Sequence, residues 1–375
     1  MNLNQLKIAI VCDWLTNMGG AEKVILSMHE LFPNASIYTS LYNGAKMKGF
    51  ENARIITSYL QKIPGAKTRH QLLVGLMPRA FEKFNLDGYD IVLSSSHACA
   101  KGIITSPSTL HICYCHSPMR YAWENSLNYI KEYKINALIK KTAPFFIHKL
   151  RMWDRLSADR ADCFITNSGY VRNRIHKYYR RPADVIHPAV DTSKFTPGGQ
   201  KESFYLAAGR LTPYKKFDLI IKAFNELKLP LKIAGTGVAK NELQKLASSN
   251  IEFLDYVSDD QLINLYRSAK ALIFPQVEDF GIIPLETMAC GTPVIAYAAG
   301  GALETVIDGK TGIFFEEQQP EAVKKAVLRL EKTKFNPKDI RAHAENFSTD
   351  IFKQKLLDYI GEKWKSWHEE MNTNK

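Results

Sequence analysis

No apolar run in the sequence approaches the roughly 20 residues that a helix needs to cross a bilayer. The first apolar stretch, Ile8-Ala9-Ile10-Val11, is short and passes into Asp13 with no small-residue cleavage site. It does not read as a secretory leader, and a cytoplasmic location is expected. The six cysteines include no CxxC pair, no Cys/His pattern at zinc spacing and no short disulfide framework, in keeping with a reducing compartment. Cys113 and Cys115 flank Tyr114 in an extended run, where buried thiols explain them better than a metal site does. There is no GxGxxG, so nicotinamide binding is not supported. What remains is a composition with 45% apolar and 23% charged residues, ordinary for a globular protein. A length of 375 residues is comfortable for two domains.

Negative charge is scarce in the first half. Residues 1–195 hold 26 Lys+Arg against 14 Asp+Glu, whereas residues 196–375 hold 24 of each, so the whole formal charge of +12 belongs to the first half. Solubility is the plain explanation; the sharper one is an anionic partner such as a membrane surface, a phosphorylated acceptor or nucleic acid. No nucleic-acid-binding motif is recognisable, and nucleic acid is not expected. Lys131, Lys134, Lys140, Lys141, Lys149, Arg151 and Arg155 punctuate an aromatic, apolar stretch with Tyr129, Tyr133, Leu138, Ile139, Phe145, Phe146 and Trp153. A basic amphipathic segment of this kind suits an anionic membrane surface, and equally a surface helix pair with one buried face. The protein is therefore expected in the cytoplasm or peripherally on the inner face of the membrane.

Strand-like runs alternate with helical patterns. They fall at 8–12, 36–40, 54–57, 91–94, 111–115, 164–166 and 185–187, then at 205–208, 232–234, 252–254, 271–274, 294–296 and 312–315. Between them apolar residues recur at helical spacing, as in Leu219, Ile220, Ala223, Phe224 and Leu227. Val/Ile-rich strands joined by helices mean parallel sheets covered on both faces. Thirteen strands are too many for one sheet, so two are expected, divided near 191–203 where Thr196-Pro197-Gly198-Gly199 has linker composition. The expected domains are 1–195 and 196–350, with 351–375 an amphipathic helix that returns to the first.

Four constellations lie at predicted strand ends. In Glu278-Asp279-Phe280-Gly281-Ile282-Ile283-Pro284-Leu285-Glu286, two carboxylates eight positions apart surround a helix start. Glu278 falls in the strand-to-helix turn, where open α/β sheets bind ligands, and Glu286 about two turns into the helix. Backbone N–H groups between them suit an anion. The second, Gly209-Arg210-Leu211 with Lys215, offers a guanidinium fork and a point charge to a diphosphate. The third, Cys12-Asp13-Trp14-Leu15-Thr16-Asn17-Met18-Gly19-Gly20-Ala21-Glu22, places paired glycines before a helix, so that helix N–H groups can face a ligand. In the fourth, Cys115-His116-Ser117-Pro118, the imidazole directly follows a strand; His97 and His187 do so too, so position alone does not select His116.

Together these segments resemble the retaining GT-B glycosyltransferases of family 4, over nearly the whole chain. Glu278-x7-Glu286 is similar to that family's EX7E motif, Gly209-Arg210-Leu211…Lys215 to its donor-phosphate motif, and Gly19-Gly20 to its acceptor-side loop. Gly235-x-Gly237, Asn167-Ser168, Asp191 and Gly300-Gly301 also fall where the family has similar residues. The run from Tyr114 to Glu124 is similar to mannosyltransferases of bacterial O-antigen and capsular polysaccharide synthesis. One departure is Lys216, where the wider family often has glycine.

The resemblance implies an α/β fold of two Rossmann-like, doubly wound parallel sheets facing a cleft, acting on a nucleotide sugar without a divalent metal. No DxD-type aspartate pair at a predicted strand end calls for one. By the same resemblance Arg210 and Lys215 hold the diphosphate and Glu278 the sugar hydroxyls. Phe280, Gly281, Ile282 and Ile283 contact sugar and phosphate through backbone amides, with Gly235 beside them. Glu286 holds the ribose, and backbone near Tyr256 and Val257 meets the base. Gly19, Gly20 and His116 line the acceptor side. The expected reaction is transfer of a hexose, GDP-mannose being the first choice and a UDP-sugar the second, to a lipid-linked or oligosaccharide acceptor. An epimerase or hydrolase on the same fold, an inactive binding subunit and a basic nucleic-acid-binding protein are the alternatives; the last leaves the Glu278/Glu286 pair unexplained.

Overall fold

Each strand-like run of the sequence forms a strand in the computed structural model, which describes residues 3–124 and 137–373, with only the backbone of residues 4 and 137–141. Tyr129, Lys131, Tyr133 and Lys134 of the basic stretch lie outside the described residues, as do the side chains of Leu138, Ile139, Lys140 and Lys141. β1 (Ile8–Cys12), β2 (Ser36–Thr39), β3 (Ile55–Thr57), β4 (Ile91–Ser96), β5 (Leu110–Cys115), β6 (Cys163–Thr166) and β7 (Asp184–Val185) pair in parallel in the order β3-β2-β1-β4-β5-β6-β7. β8 (Tyr205–Ala208), β9 (Leu231–Ala234), β10 (Ile251–Asp255), β11 (Leu272–Phe274), β12 (Val294–Tyr297) and β13 (Gly312–Phe315) form a second parallel sheet, β10-β9-β8-β11-β12-β13. Both follow the doubly wound Rossmann order, in which the direction of winding reverses between the first and fourth strands. The reversal points lie between β1 and β4 and between β8 and β11.

Burial explains why the strands are continuous apolar runs rather than alternating ones. Tyr205 and Ala207 pack on one face of β8 with Phe224, Ile233 and Ile273; Leu206 and Ala208 pack on the other with Tyr266, Leu272 and Leu285. Helices cover both faces. The Asp259–Ser268 helix starts on a capping box, with Ser258 and Gln261 each bonding the other's backbone. No helix among the described residues is long and apolar enough to cross a membrane.

The chain forms two compact units, one of Met1–His187 with Phe352–Lys375 and one of Pro188–Ile351. The division falls before the 195/196 boundary expected from composition. Residues 188–195 are tied to the second unit: Val190 N–H donates to Phe347 O at 2.8 Å, Arg341 Nη2 donates to Thr192 O at 2.7 Å, and Phe195 packs on Tyr266. The Pro/Gly-rich stretch is also held there, by Arg267 Nε on Thr196 O at 2.7 Å. In the first unit the Thr349–Thr373 helix buries Phe352, Leu356, Ile360 and Trp364, with Phe352 edge-on to Tyr114.

Candidate active site

In the second unit the chain leaves β8 through Gly209 and Arg210 and turns at the 3-10 helix Pro213–Lys215. It leaves β11 through the loop that carries Glu278. These are the two strand ends at the reversal point, and the two loops meet. Lys215 Nζ lies 2.8 Å from Glu278 Oε1, and Gln276 Nε2 donates to the same oxygen at 3.3 Å. Lys215 is buried, and Glu278 keeps about a fifth of its side chain exposed. Glycines allow this crowding. A Cβ on Gly235 (φ 138°) would overlap the Gly209 carbonyl, and one on Gly301 the backbone of Phe280. Gly301 N–H donates to Glu278 O at 2.9 Å, fixing the loop. Arg210 is exposed and has no ion pair among the described residues.

The Ile282–Ala289 helix begins at Gly281, whose φ of 83° suits glycine, with no side-chain cap. Among the described residues, the N–H groups of Ile282 and Ile283 have no recorded acceptor and remain for an anion. Phe280 is buried against Phe347 and aligns this entry. Glu286 is buried one turn into the helix rather than the expected two, because helical geometry starts only at Ile282; the Tyr266 hydroxyl donates to it at 3.4 Å. Burial, reinforced by the Glu286 charge, holds the Tyr266 phenol well above its ordinary range. Tyr256 and Val257 stand apart from this group at the end of the edge strand β10, two strands from β8, where they line a cavity of about 330 Å³ with Phe204 and Leu265.

In the first unit the corresponding ends, after β1 and β4, are joined by Asp13. Asp13 is 2% exposed, and its carboxylate accepts four backbone N–H groups: His97 at 2.7 Å, Ala98 at 2.9 Å, Cys99 at 2.6 Å and Ala100 at 2.7 Å. His97 Nδ1 lies 3.2 Å from Asp13 Oδ2, and the imidazole meets the Trp14 ring edge-on at 4.6 Å. His116 follows β5, one strand further on; its Nε2 is 2.8 Å from Ser95 Oγ. Burial, with a smaller contribution from nearby His97, pushes His116 down to about 3, so it is neutral. Burial also lowers the pKa of His70, which stacks on Trp14.

Gly19 caps the Gly20–Leu31 helix, but Glu22 folds back over it. Burial raises the Glu22 pKa, opposed by hydrogen bonds from the N–H groups of Glu22 and Gly19. A Cβ on Gly19 would meet Glu22 Oε2 at 2.9 Å, while one on Gly20 would meet only open space. Asn167 Nδ2 donates to His116 O at 3.0 Å, and His187 Nδ1 lies 3.0 Å from Asn167 O. Asp13 belongs to the third constellation and His97 to the strand-end histidines, but the sequence does not show that the two meet, because their contact spans 84 residues.

Residues 18–194 match the family model of Glycosyltransferase Family 4, and residues 191–347 that of glycosyl transferases group 1. The chain belongs to the family 4, group 1 glycosyltransferases. An uncharacterized glycosyltransferase of Methanocaldococcus jannaschii, MJ1178, is 29% identical over 56% of this chain and 61% of its own length. The D-inositol 3-phosphate glycosyltransferase of Mycolicibacterium smegmatis is 35% identical over 41% of this chain and 42% of its own. The chain spans about half the length of the curated relatives it matches. Among solved structures, Anabaena Alr3699/HepE in complex with UDP-glucose is similar with a TM-score of 0.70 and 17% identity, over 95% of this chain and all of that one. That likeness shows the two-sheet fold.

Proposed function

We propose that this glycosyltransferase moves a hexosyl group from a nucleotide sugar, with retention of anomeric configuration, onto a lipid-linked or glycan acceptor in surface-polysaccharide synthesis. Mannose from GDP-mannose is the first choice, on the Tyr114 to Glu124 segment, and a UDP-sugar the second. The Lys215–Glu278 pair at the reversal point of the second sheet carries the reading. A donor diphosphate takes over Lys215 and recruits the exposed Arg210, while the Ile282 and Ile283 N–H groups receive its remaining oxygens. Glu278, released, accepts from the sugar hydroxyls. A hydrogen bond to a charged group contributes about 1.5–3 kcal/mol, so a few such contacts offset the charge that develops on the leaving group. Buried Glu286 then meets the ribose, and the base lies toward Tyr256 and Val257.

In the transfer step the acceptor oxygen bonds to the anomeric carbon and the bond from that carbon to the diphosphate oxygen breaks. The acceptor proton passes to the departing diphosphate on the same face. Glu278→Ala is expected to abolish transfer while leaving nucleotide binding largely intact; unchanged turnover would remove Glu278 from the site. A thermal-shift panel of nucleotide sugars in metal-free buffer tests the donor. Ligand at 100 times its Kd adds about 2.7 kcal/mol of stability, and no shift with any of them would overturn the reading.

Peripheral attachment to an anionic membrane is part of the proposal. On the Ala137–Ser157 helix Phe145, Met152 and Leu156 are exposed at helical spacing on the same side as Lys149, whose ammonium lies 4.6 Å over the Phe145 ring. Sedimentation with anionic vesicles at low salt, and release at high salt, is the expected result. Equal binding to neutral vesicles would exclude the electrostatic part.

A further inference from the structure

We propose that Gln276 is a positioning residue for the donor sugar: its side-chain amide holds one oxygen of Glu278, so that the other is presented to a sugar hydroxyl. The proposal rests on the transfer reading above, which assigns Glu278 to the sugar; the role of Gln276 goes beyond it.

Gln276 lies between the end of β11 and Glu278, in the loop at the reversal point of the second sheet. The backbone is fixed on both sides of it. Gln318 Nε2 donates to Pro275 O at 2.8 Å, and Gly301 N–H donates to Glu278 O at 2.9 Å. Gln276 itself is 1% exposed. An amide offers two donors and an acceptor, and burying them without a partner is unfavourable. Its Nε2 finds Glu278 Oε1 at 3.3 Å. Because an ion-paired carboxylate only accepts, the amide nitrogen and not the amide oxygen faces it.

The two donors on Glu278 are not shared between its oxygens. Lys215 Nζ, at 2.8 Å, also meets Oε1, and among the described residues Oε2 has no partner. One oxygen is thus held from the protein side, and the other keeps its lone pairs for an O–H donor. The two holders respond differently to a nucleotide sugar. Lys215 is a cation, and a diphosphate competes with Glu278 for it. Gln276 is neutral, buried and set in a pinned loop, so a diphosphate does not draw it away. Once Lys215 turns to the diphosphate, Gln276 is what keeps the Glu278 carboxylate from rotating. A side chain already fixed in its bound conformation does not have to be ordered when the ligand arrives, and this raises affinity. The benefit falls on the sugar, which Glu278 meets, and not on the nucleotide.

Isothermal titration calorimetry on the full chain in metal-free buffer tests this. The probes are whichever of GDP-mannose, UDP-glucose, UDP-galactose and UDP-N-acetylglucosamine binds most tightly, and the nucleoside diphosphate of the same base. Gln276→Met keeps the length of the side chain and removes the amide. It should weaken the nucleotide sugar about tenfold, the scale of one hydrogen bond to a charged group, and the nucleoside diphosphate less than about twofold. Gln276→Glu keeps the shape but sets a second carboxylate against the first, and should weaken the nucleotide sugar further. Either variant decides the question if the other does not fold. A double-mutant cycle reads the coupling: in a Glu278→Ala background the same Gln276 substitution should cause no further loss. Equal losses for nucleotide sugar and nucleoside diphosphate, as a merely structural role would give, overturn the proposal. So does an unchanged nucleotide-sugar affinity, or a loss that adds in full to that of Glu278→Ala. Failure of the transfer reading registers separately, as no binding of any nucleotide sugar to the unaltered chain, and takes the proposal with it.

Discussion

Lys216 has a φ of 56°, the left-handed conformation that L-residues avoid and glycine adopts freely. The sequence shows only that a lysine stands where the wider family often has glycine; the backbone shows why glycine suits the position. Lys216→Gly should leave stability unchanged or raise it by up to about 1 kcal/mol, whereas Lys216→Val should lower it by about 1–2 kcal/mol, measured by urea unfolding. Asp13 carries more. Replacing its carboxylate with an amide turns acceptors into donors opposite N–H groups, and Asp13→Asn should cost roughly 3 kcal/mol or more. The Lys215–Glu278 contact was half legible: both residues belong to recognisable motifs, but nothing in the sequence shows that they pair with each other.

Strands were the most legible elements, because burial on both faces makes each a continuous apolar run. Their ends were less so. β4 extends through Ser94, Ser95 and Ser96, polar residues that remain buried because side-chain partners such as His111 and His116 take up the first two hydroxyls. Short 3-10 pieces such as His70–Leu76 carry no periodic signal and went unforeseen. β5 supplies a pH test. His111 is fully buried, between Ser94 Oγ at 2.8 Å and Arg160 O at 3.1 Å, and burial pushes its pKa down to about 4. Unfolding restores the ordinary value near 6.5, so below that pH the unfolded chain binds a proton that the folded chain does not. This contribution is fully present above about pH 6.5 and is lost as pH falls toward 4; between pH 7 and 5 it amounts to about 2 kcal/mol. Denaturant unfolding at the two pH values should show the loss, and His111→Gln should flatten the slope even if it lowers stability at both.

Across the whole molecule the charge asymmetry follows the units. The basic excess lies in the unit that carries the exposed face of the Ala137–Ser157 helix. The two-sheet plan was readable from strand count and alternation; the point of division was not, because residues 188–195, ahead of the linker-like stretch, already pack on the second unit. Removing residues 352–375 should unfold the first unit. Phe352, Leu356, Ile360 and Trp364 are all buried, and each such side chain contributes about 1.5–3 kcal/mol, together as much as a domain's net stability. Circular dichroism and limited proteolysis of the truncated chain should show the second unit intact and the first degraded. The same arrangement governs the order of events on the ribosome. The second unit, residues 188–351, is continuous and can fold as soon as it emerges, while the first waits for residues 352–375 to be made. The half of the protein translated first is therefore the half completed last, and stalled nascent chains ending before Phe352 should expose it to protease.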